Sequence, residues 1–573
     1  MRNGTRTLHV LAAAAAAIML TASTAGAAFP RAVRGKGGAV ASANAQATAA
    51  GIEILTHGGN AADAVVATAL ALAVVHPQAG NLGGGGFAVI RFKGRTTTLD
   101  FRETAPAGAS HNMFLDKNGH ADSEKSLNGP LAAGVPGSPE GLYELQRRYG
   151  SLPWPAVVQP ALRLARDGFV VSERLSSDLE RESERLQRYP ETAAIWLPDG
   201  KPPAAGTTMR LPQLAALLGS YAEEGPKAIM SGPAAAAVEV ISRRYGGVLR
   251  AHDLKAYRSI WREPVTFKAF GWRVASMGLP SSGGIILAET TGILGKVGWA
   301  DLPRFGAPRR HLLVEAWRRA FADRFGLGDP GFSLARAADL LAPSWIADRA
   351  GSIDPRKATR SQEVRPWAGG MPHEHRQTTH IAVVDAFGNV VSLTTTLNGA
   401  FGCGVVVPGL GYLLNNEMDD FTTAAGQPNT YGLIQGEANS VGPGKRMLSS
   451  MSPTVLWSGN QVLALGAAGG SHIPTATLQV ILNVIVDGDE LQAAVDRPRI
   501  HNQWLPDRID AELDALAPET AGALRRMGHR IETVESLGRV NAVVLNLDGT
   551  VAAAADPRGP GAAAVVRKWP ASE

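Results

Sequence analysis

The apolar period of the chain changes abruptly at position 378, and this change limits the fold more than any other feature. Residues 365–377 (Arg365-Pro-Trp-Ala-Gly-Gly-Met-Pro-His-Glu-His-Arg-Gln377) are turn formers and polar groups without hydrophobic period, which predicts an exposed loop. From Thr379 to Val384 and from Val390 to Leu397 the residues alternate with period two about Asp385-Ala-Phe-Gly-Asn389, which predicts a β-hairpin. A second hairpin is expected around Asp548-Gly549, and a third from Phe87 to Phe101 turning at Lys93-Gly94. Between 138 and about 350 the text is mainly helical, with periodic runs Leu142 to Tyr149 and Pro155 to Asp167 and a charged, solvated stretch Ser177 to Arg188. Ala61 to Val75 is apolar on most faces, with Asn60 to cap it, Asp63 in its first turn and Pro77 to close it, and so reads as a helix buried between layers. Helices and strands together predict an α/β or α+β fold, sheet-rich in its last third.

Composition removes several classes. With 573 residues, 45% hydrophobic and 19% charged, the chain is neither wholly disordered, collagenous nor a coiled coil. The net charge of +5 is too small to indicate nucleic acid. One cysteine, Cys403, excludes an intrachain disulfide and any cysteine-built zinc or iron–sulfur site. Arg2 and Arg6, the apolar run Val10 to Leu20 and Ala25-Gly26-Ala27 predict a signal peptide over 1–27, hence a periplasmic or secreted protein. That run falls short of the roughly 20 apolar residues that span a bilayer, so no membrane span is expected in the mature form.

Common motifs fail. Gly83 to Gly86 lacks the Gly-Lys-Ser/Thr ending of a phosphate loop, Gly137-Ser-Pro-Glu-Gly141 lacks the spacing of a nucleophile elbow, and His373 and His375 have no partnering carboxylate motif, so no metal is expected. What remains is Gln377-Thr378-Thr379-His380 at the loop–strand junction. A threonine hydroxyl is a weak nucleophile, but a cut before it frees an α-amine of pKa about 7.7–8.0 that can act as its base. From spacing alone, an ordinary strand threonine is the default reading of Thr378 and the nucleophile is its alternative.

A set of motifs decides for the first. Gly58-Gly-Asn-Ala-Ala-Asp63, Asn81-Leu-Gly-Gly-Gly-Gly-Phe87, Asp100-Phe-Arg-Glu-Thr-Ala-Pro106, Gly134-Val-Pro-Gly137, Gln377-Thr-Thr-His380, Thr396-Leu-Asn398, Asn415-Asn-Glu-Met-Asp-Asp-Phe421, Pro443-Gly-Lys-Arg-Met-Leu-Ser-Ser-Met-Ser-Pro453 and Gly469-Gly-Ser471 resemble the γ-glutamyltranspeptidases of the N-terminal-nucleophile hydrolase superfamily. The resemblance implies an α+β fold, a four-layer αββα sandwich made from two subunits of one precursor. It implies self-cleavage between Gln377 and Thr378 into a large subunit, 28–377, and a small one, 378–573, that remain together as a heterodimer.

The site roles implied by the resemblance are as follows. Thr378 is the nucleophile, Thr396 sets its position, and the backbone N–H groups at Gly469 and Gly470 form the oxyanion hole. Arg102, Ser449 and Ser450 bind the substrate α-carboxylate; Asn398, Glu417 and Asp420 accept from its α-ammonium; Tyr431, in a lid loop from Thr422 to Val441, closes over the bound group. Glu103 and Thr104 orient the Arg102 loop, and Cys403 is a buried free thiol. The implied substrates are glutathione and other γ-glutamyl compounds, with water, amino acids or dipeptides as acceptors and no cofactor. The rival readings are a glutaryl or cephalosporin-type acylase of the same fold, and an exported binding protein that does not process itself. Asp420 separates the first rival, because a glutaryl chain has no ammonium to bind.

Overall fold

The computed structural model describes residues 31–333, 336–367, 377–422 and 436–567. Period two governs its centre. Gln377–Asp385 and Val390–Asn398 form the expected hairpin and sit at the middle of a seven-stranded antiparallel sheet. In order across that sheet the strands are Ala562–Val565, Gly38–Ser42, Gln377–Asp385, Val390–Asn398, Gly85–Phe92, Arg95–Phe101 and Ile260–Arg262. A second antiparallel sheet of seven runs Val33–Gly35, Val551–Ala554, Arg539–Leu545, Gln461–Ala468, Thr454–Ser458, Trp272–Ser276 and Val265–Ala269. The hairpins expected at Lys93-Gly94 and Asp548-Gly549 are both present, one in each sheet.

Alternation sorts the side chains into layers. Ala382, Val384 and Val390 meet Val455, Ala464 and Val543 of the second sheet in a core of small residues. Ile381, Val383, Val391 and Leu393 point the other way, onto helices Ala45–Thr56 and Ala61–Val75. The outer face of the second sheet is covered by Gly283–Lys296 and His472–Ile485, which completes the αββα order. All 15 residues of Ala61–Val75 are buried, as its uniform apolarity predicts. Its start is a capping box: Asn60 Oδ1 accepts from Asp63 N (3.2 Å) and Asp63 Oδ2 from Asn60 N (3.0 Å). Among the described residues no helix is long and apolar enough to cross a membrane.

On the hairpin, Thr378, His380, Ser392, Thr394, Thr396 and Asn398 share the face turned toward the second sheet. A histidine fits there because Gly466 opposite has no side chain: a Cβ on it would lie 2.5 Å from the His380 ring. His380 Nδ1 shares a hydrogen bond with Thr394 Oγ1 (2.8 Å), and burial pushes its pKa down to about 3, so the ring is neutral.

Candidate active site

Thr378 lies directly across the hairpin from Thr396. One step earlier the register slips, Gln377 pairing with Asn398, so the strand Val390–Asn398 carries an extra residue opposite the Gln377–Thr378 bond. A bulge of this kind breaks the ladder locally and re-aims side chains. Asn398 takes a left-handed backbone (φ 69°) at the bulge, its N–H bonds Thr396 Oγ1 (2.7 Å), and its Nδ2 donates to Asn416 O (3.0 Å).

The glycine run 83–86 explains itself here. A Cβ on Gly84 would stand 2.1 Å from Thr396 O, and one on Gly86 2.2 Å from Thr394 O, so this turn holds the threonine strand at backbone contact instead of cradling a phosphate. Asn81 fixes the approach: Nδ2 donates to Thr396 O (2.8 Å) while Oδ1 accepts from Gly84 N (2.9 Å) and Ser138 Oγ (2.7 Å). Asn81 and Ser138 are positioning residues that sequence reasoning passed over; the Asn preceding the glycines was their signal.

Arg102 is wholly buried where the strand Arg95–Phe101 ends. Asp100 Oδ1 accepts from its backbone N–H (2.9 Å), Tyr257 Oη donates to its carbonyl (2.8 Å), and its Nε donates to Met447 O (3.3 Å). The guanidinium pairs with Glu417 through Nη1 and with Asp420 through Nη2, and Glu103 Oε2 lies 3.6 Å from Nη1. Burial works against the Arg102 charge, but Glu417, Asp420 and Glu103 outweigh it and hold the group protonated. Burial lifts Glu417 well above the usual carboxylate range against the pull of Arg102, and lifts Glu103 to about 7. Three buried carboxyl groups thus crowd one cation, and an added cation would favour their ionised forms.

Ser449 and Ser450 follow Pro443–Leu448, which runs beside Arg102. The Ser449 carbonyl accepts from Ser282 N and Ser282 Oγ (both 2.8 Å), fixing the turn, and Ser450 Oγ is buried without a hydrogen-bond partner among the described residues. Gly469 (φ 136°) and Gly470 (φ 59°) lead into His472–Ile485, so their N–H groups stand at a helix N-terminus, the partly positive end. A Cβ on Gly469 would come 3.0 Å from Gly538 Cα.

One cavity gathers these groups: Arg102, Thr378, Thr396, Asn398, Glu417, Asp420, Ser449, Ser450, Met451, Gly470 and Ile473 line it. Gly469 stands one residue behind the lining. Tyr431 and most of the expected lid fall outside the described residues, as does the loop 368–376. At the described ends of the expected lid stretch, Thr422 Oγ1 donates to Gly436 O (2.9 Å) and Asn439 Nδ2 to Asp420 O (2.7 Å), next to the acidic turn Glu417–Asp420. Met451 and Ile473, the apolar lining, carried no sequence signal. The free space is about 20 Å³, close to that of one water. A ligand carboxylate that binds Arg102 competes there with Glu417 and Asp420. Cys403 is fully buried, and burial pushes its thiol up to about 12.

One trio of described residues, His311, Glu315 and His529, brings potential metal-ligand atoms within 4.8 Å of one another. Its atoms are already committed: His311 bonds His529 Nε2 and Asp354 O (2.8 Å each), and Glu315 pairs with Arg318 and Arg319. None of the three lines the cavity.

The Gamma-glutamyltranspeptidase family model matches residues 47–566. The chain belongs to the γ-glutamyltranspeptidase family. It is 44% identical over 533 residues to the glutathione hydrolase proenzyme of Escherichia coli (strain K12), covering 92% of this chain and 91% of that protein. Among solved structures it is similar to the cephalosporin acylase from Bacillus halodurans, with TM-score 0.82, 27% identity and coverage of 95% and 98%. The γ-glutamyltranspeptidase of Helicobacter pylori aligns with TM-score 0.56 and 35% identity, its solved chain covering 57% of this one and 94% of itself. Family and neighbours agree with the N-terminal-nucleophile hydrolase architecture expected from the motifs.

Proposed function

We propose that the chain is a precursor that is exported, removes residues 1–27, cuts itself between Gln377 and Thr378, and works as a heterodimer of 28–377 and 378–573 that transfers the γ-glutamyl group of glutathione and related amides. The observation that carries this reading is the single cavity in which Thr378 and Thr396 meet Arg102, Glu417, Asp420, Ser449, Ser450 and Gly470.

In the first step the Thr378 hydroxyl attacks the Gln377 carbonyl at the bulged position, the acyl group moves from nitrogen to oxygen, and water hydrolyses the ester. The freed α-amine, with a reference pKa of about 7.7–8.0, then serves as base to the same hydroxyl near neutral pH. In turnover Thr378 takes the γ-glutamyl group as an ester, and the protonated amine passes its proton to the leaving amine. Water or an acceptor amino acid or dipeptide then releases the acyl group. The N–H groups of Gly469 and Gly470 face the developing oxyanion at the positive end of the helix, and Thr396, held by Asn81 and Asn398, keeps the nucleophile in line.

The resting ion pairs supply the substrate logic. Arg102 against Glu417 and Asp420 reproduces the two charges of an amino-acid zwitterion. A γ-glutamyl head group exchanges that internal pair for two of its own, carboxylate on Arg102 and the Ser449 and Ser450 hydroxyls, ammonium on Asn398, Glu417 and Asp420. A ligand with only one of the charges leaves a buried charge unpaired, which costs several kcal/mol. The cephalosporin acylase likeness in fold is thus offset by the acidic pair. The test is hydrolysis of glutathione by the wild type and Thr378→Ala. Release of glutamate by the wild type alone supports the reading; equal release by the variant overturns it.

A further inference from the structure

Outside the active site, charge is out of balance where the helix Ala307–Asp323 begins. Its first turn holds Arg309 and Arg310, at the end where the helix dipole disfavours cations, with no acidic residue in that turn and no side-chain cap on Gly306. Arg304 and Arg497 join them, so four guanidinium groups gather round two aspartates. Asp487 takes Arg309 (2.8 Å) and Arg304 Nε (3.2 Å); Asp489 takes Arg304 Nη1 (3.1 Å) and Arg497 Nη2 (2.8 Å). Arg310 makes no side-chain hydrogen bond or ion pair among the described residues, and its Nε is buried without a partner. Its guanidinium lies 5.6 Å from the half-exposed ring of Phe305, which Arg304 (5.0 Å) and Arg497 (5.3 Å) also face. Burial and the adjacent Arg309, Arg304 and Arg497 pull Arg310 down to about 10, although Asp487 opposes them.

Four fixed cations against two carboxylates leave two positive charges, and a guanidinium presents a planar fork that suits tetrahedral oxyanions. We propose that Arg310, with Arg304, Arg309, Arg497 and the free N–H groups of the helix start, forms a binding site for a doubly charged phosphate group, either inorganic phosphate or a small phosphate monoester. A dianion there neutralises the surplus, satisfies Arg310 and restores the charge preference of the helix terminus. None of these residues lines the catalytic cavity.

The test is thermal unfolding and titration calorimetry of the full protein with sodium phosphate, with glycerol phosphate, and with sodium chloride at matched ionic strength, on the wild type, Arg310→Gln and Arg310→Lys. Phosphate is expected to raise the wild-type Tm saturably beyond chloride. Arg310→Gln, losing charge-assisted bonds, is expected to bind about tenfold more weakly or worse, with Arg310→Lys between. Saturation by both ligands assigns the site to phosphate groups in general; saturation by inorganic phosphate alone restricts it to the free ion. Without phosphate, Arg310→Gln is expected to melt no lower than the wild type, because it removes an uncompensated cation, and to hydrolyse glutathione at the wild-type rate. The proposal is overturned by a wild type indifferent to both phosphates, by an unchanged phosphate response in Arg310→Gln, or by a Tm loss in that variant without phosphate. None of these outcomes touches the assignment at Thr378.

Discussion

Replacing Asp420 with Ala separates a glutamyl site from a glutaryl one. Asp420 pairs with Arg102 through its side chain, while its carbonyl accepts from Asn439 Nδ2. The substitution removes the first contact and keeps the second. Arg102 retains Glu417 and lies 3.6 Å from Glu103, so no buried cation is stranded and the fold is expected to survive. On the proposed assignment, what is lost is one charged acceptor for the substrate ammonium, and a hydrogen bond to a charged group contributes about 1.5–3 kcal/mol. At about 1.36 kcal/mol per tenfold, kcat/KM for a γ-glutamyl anilide falls by about 10- to 150-fold, mostly in KM. A glutaryl anilide has no ammonium, and with Arg102 less engaged its rate holds or rises. Both substrates are assayed on both proteins by release of the coloured amine. Equal loss on the two substrates would falsify the assignment of Asp420 to the ammonium.

Further outcomes follow from packing and protonation. Gly84→Ala places a Cβ 2.1 Å from Thr396 O, so the Thr396 strand end has to shift; overpacking of about 1–3 kcal/mol and a large loss of hydrolysis are expected. Gly219→Ala in the helix Pro212–Glu224, where a Cβ meets nothing within 4 Å, is the control and gains about 0.5–1 kcal/mol in thermal melts. His380 and His76, both held by burial at about 3, give an acid limb. Between the ordinary histidine value of 6.5 and about 3, the unfolded chain binds protons that the folded chain refuses, so stability falls as pH drops through that window. Urea midpoints from pH 7 to pH 4 check this, and a flat profile contradicts the neutral buried rings.

The hairpin at 377–398, the buried helix Ala61–Val75 and the glycine turn before Phe87 were legible because period and capping are local signals. The motif set supplied the polar side chains that line the cavity but not the apolar Ile473. Sequence reasoning did not supply the contacts that need three dimensions. Nothing in local pattern announces that Gly466 makes room for His380, that Asn81 and Ser138 brace the Thr396 strand, or that Arg102 is held by Glu417 and Asp420. The Gly83–Gly86 run was dismissed as a phosphate loop for want of a lysine, and its use, backbone contact with Thr394 and Thr396, depends on a strand more than 300 residues away. The charge imbalance at Arg304–Arg310 is likewise invisible in local pattern, because it appears only once the distant Asp487 and Asp489 are counted against it.

The proposed chemistry requires that Thr378 acquire a free α-amine. Intact mass and N-terminal sequencing of the purified protein test this directly. Two chains, one beginning with Thr378 and running to Glu573, are the expected result, with Thr378→Ala remaining one chain. A single wild-type chain that hydrolyses γ-glutamyl amides would contradict the account, because Thr378 would then lack the base that its chemistry requires.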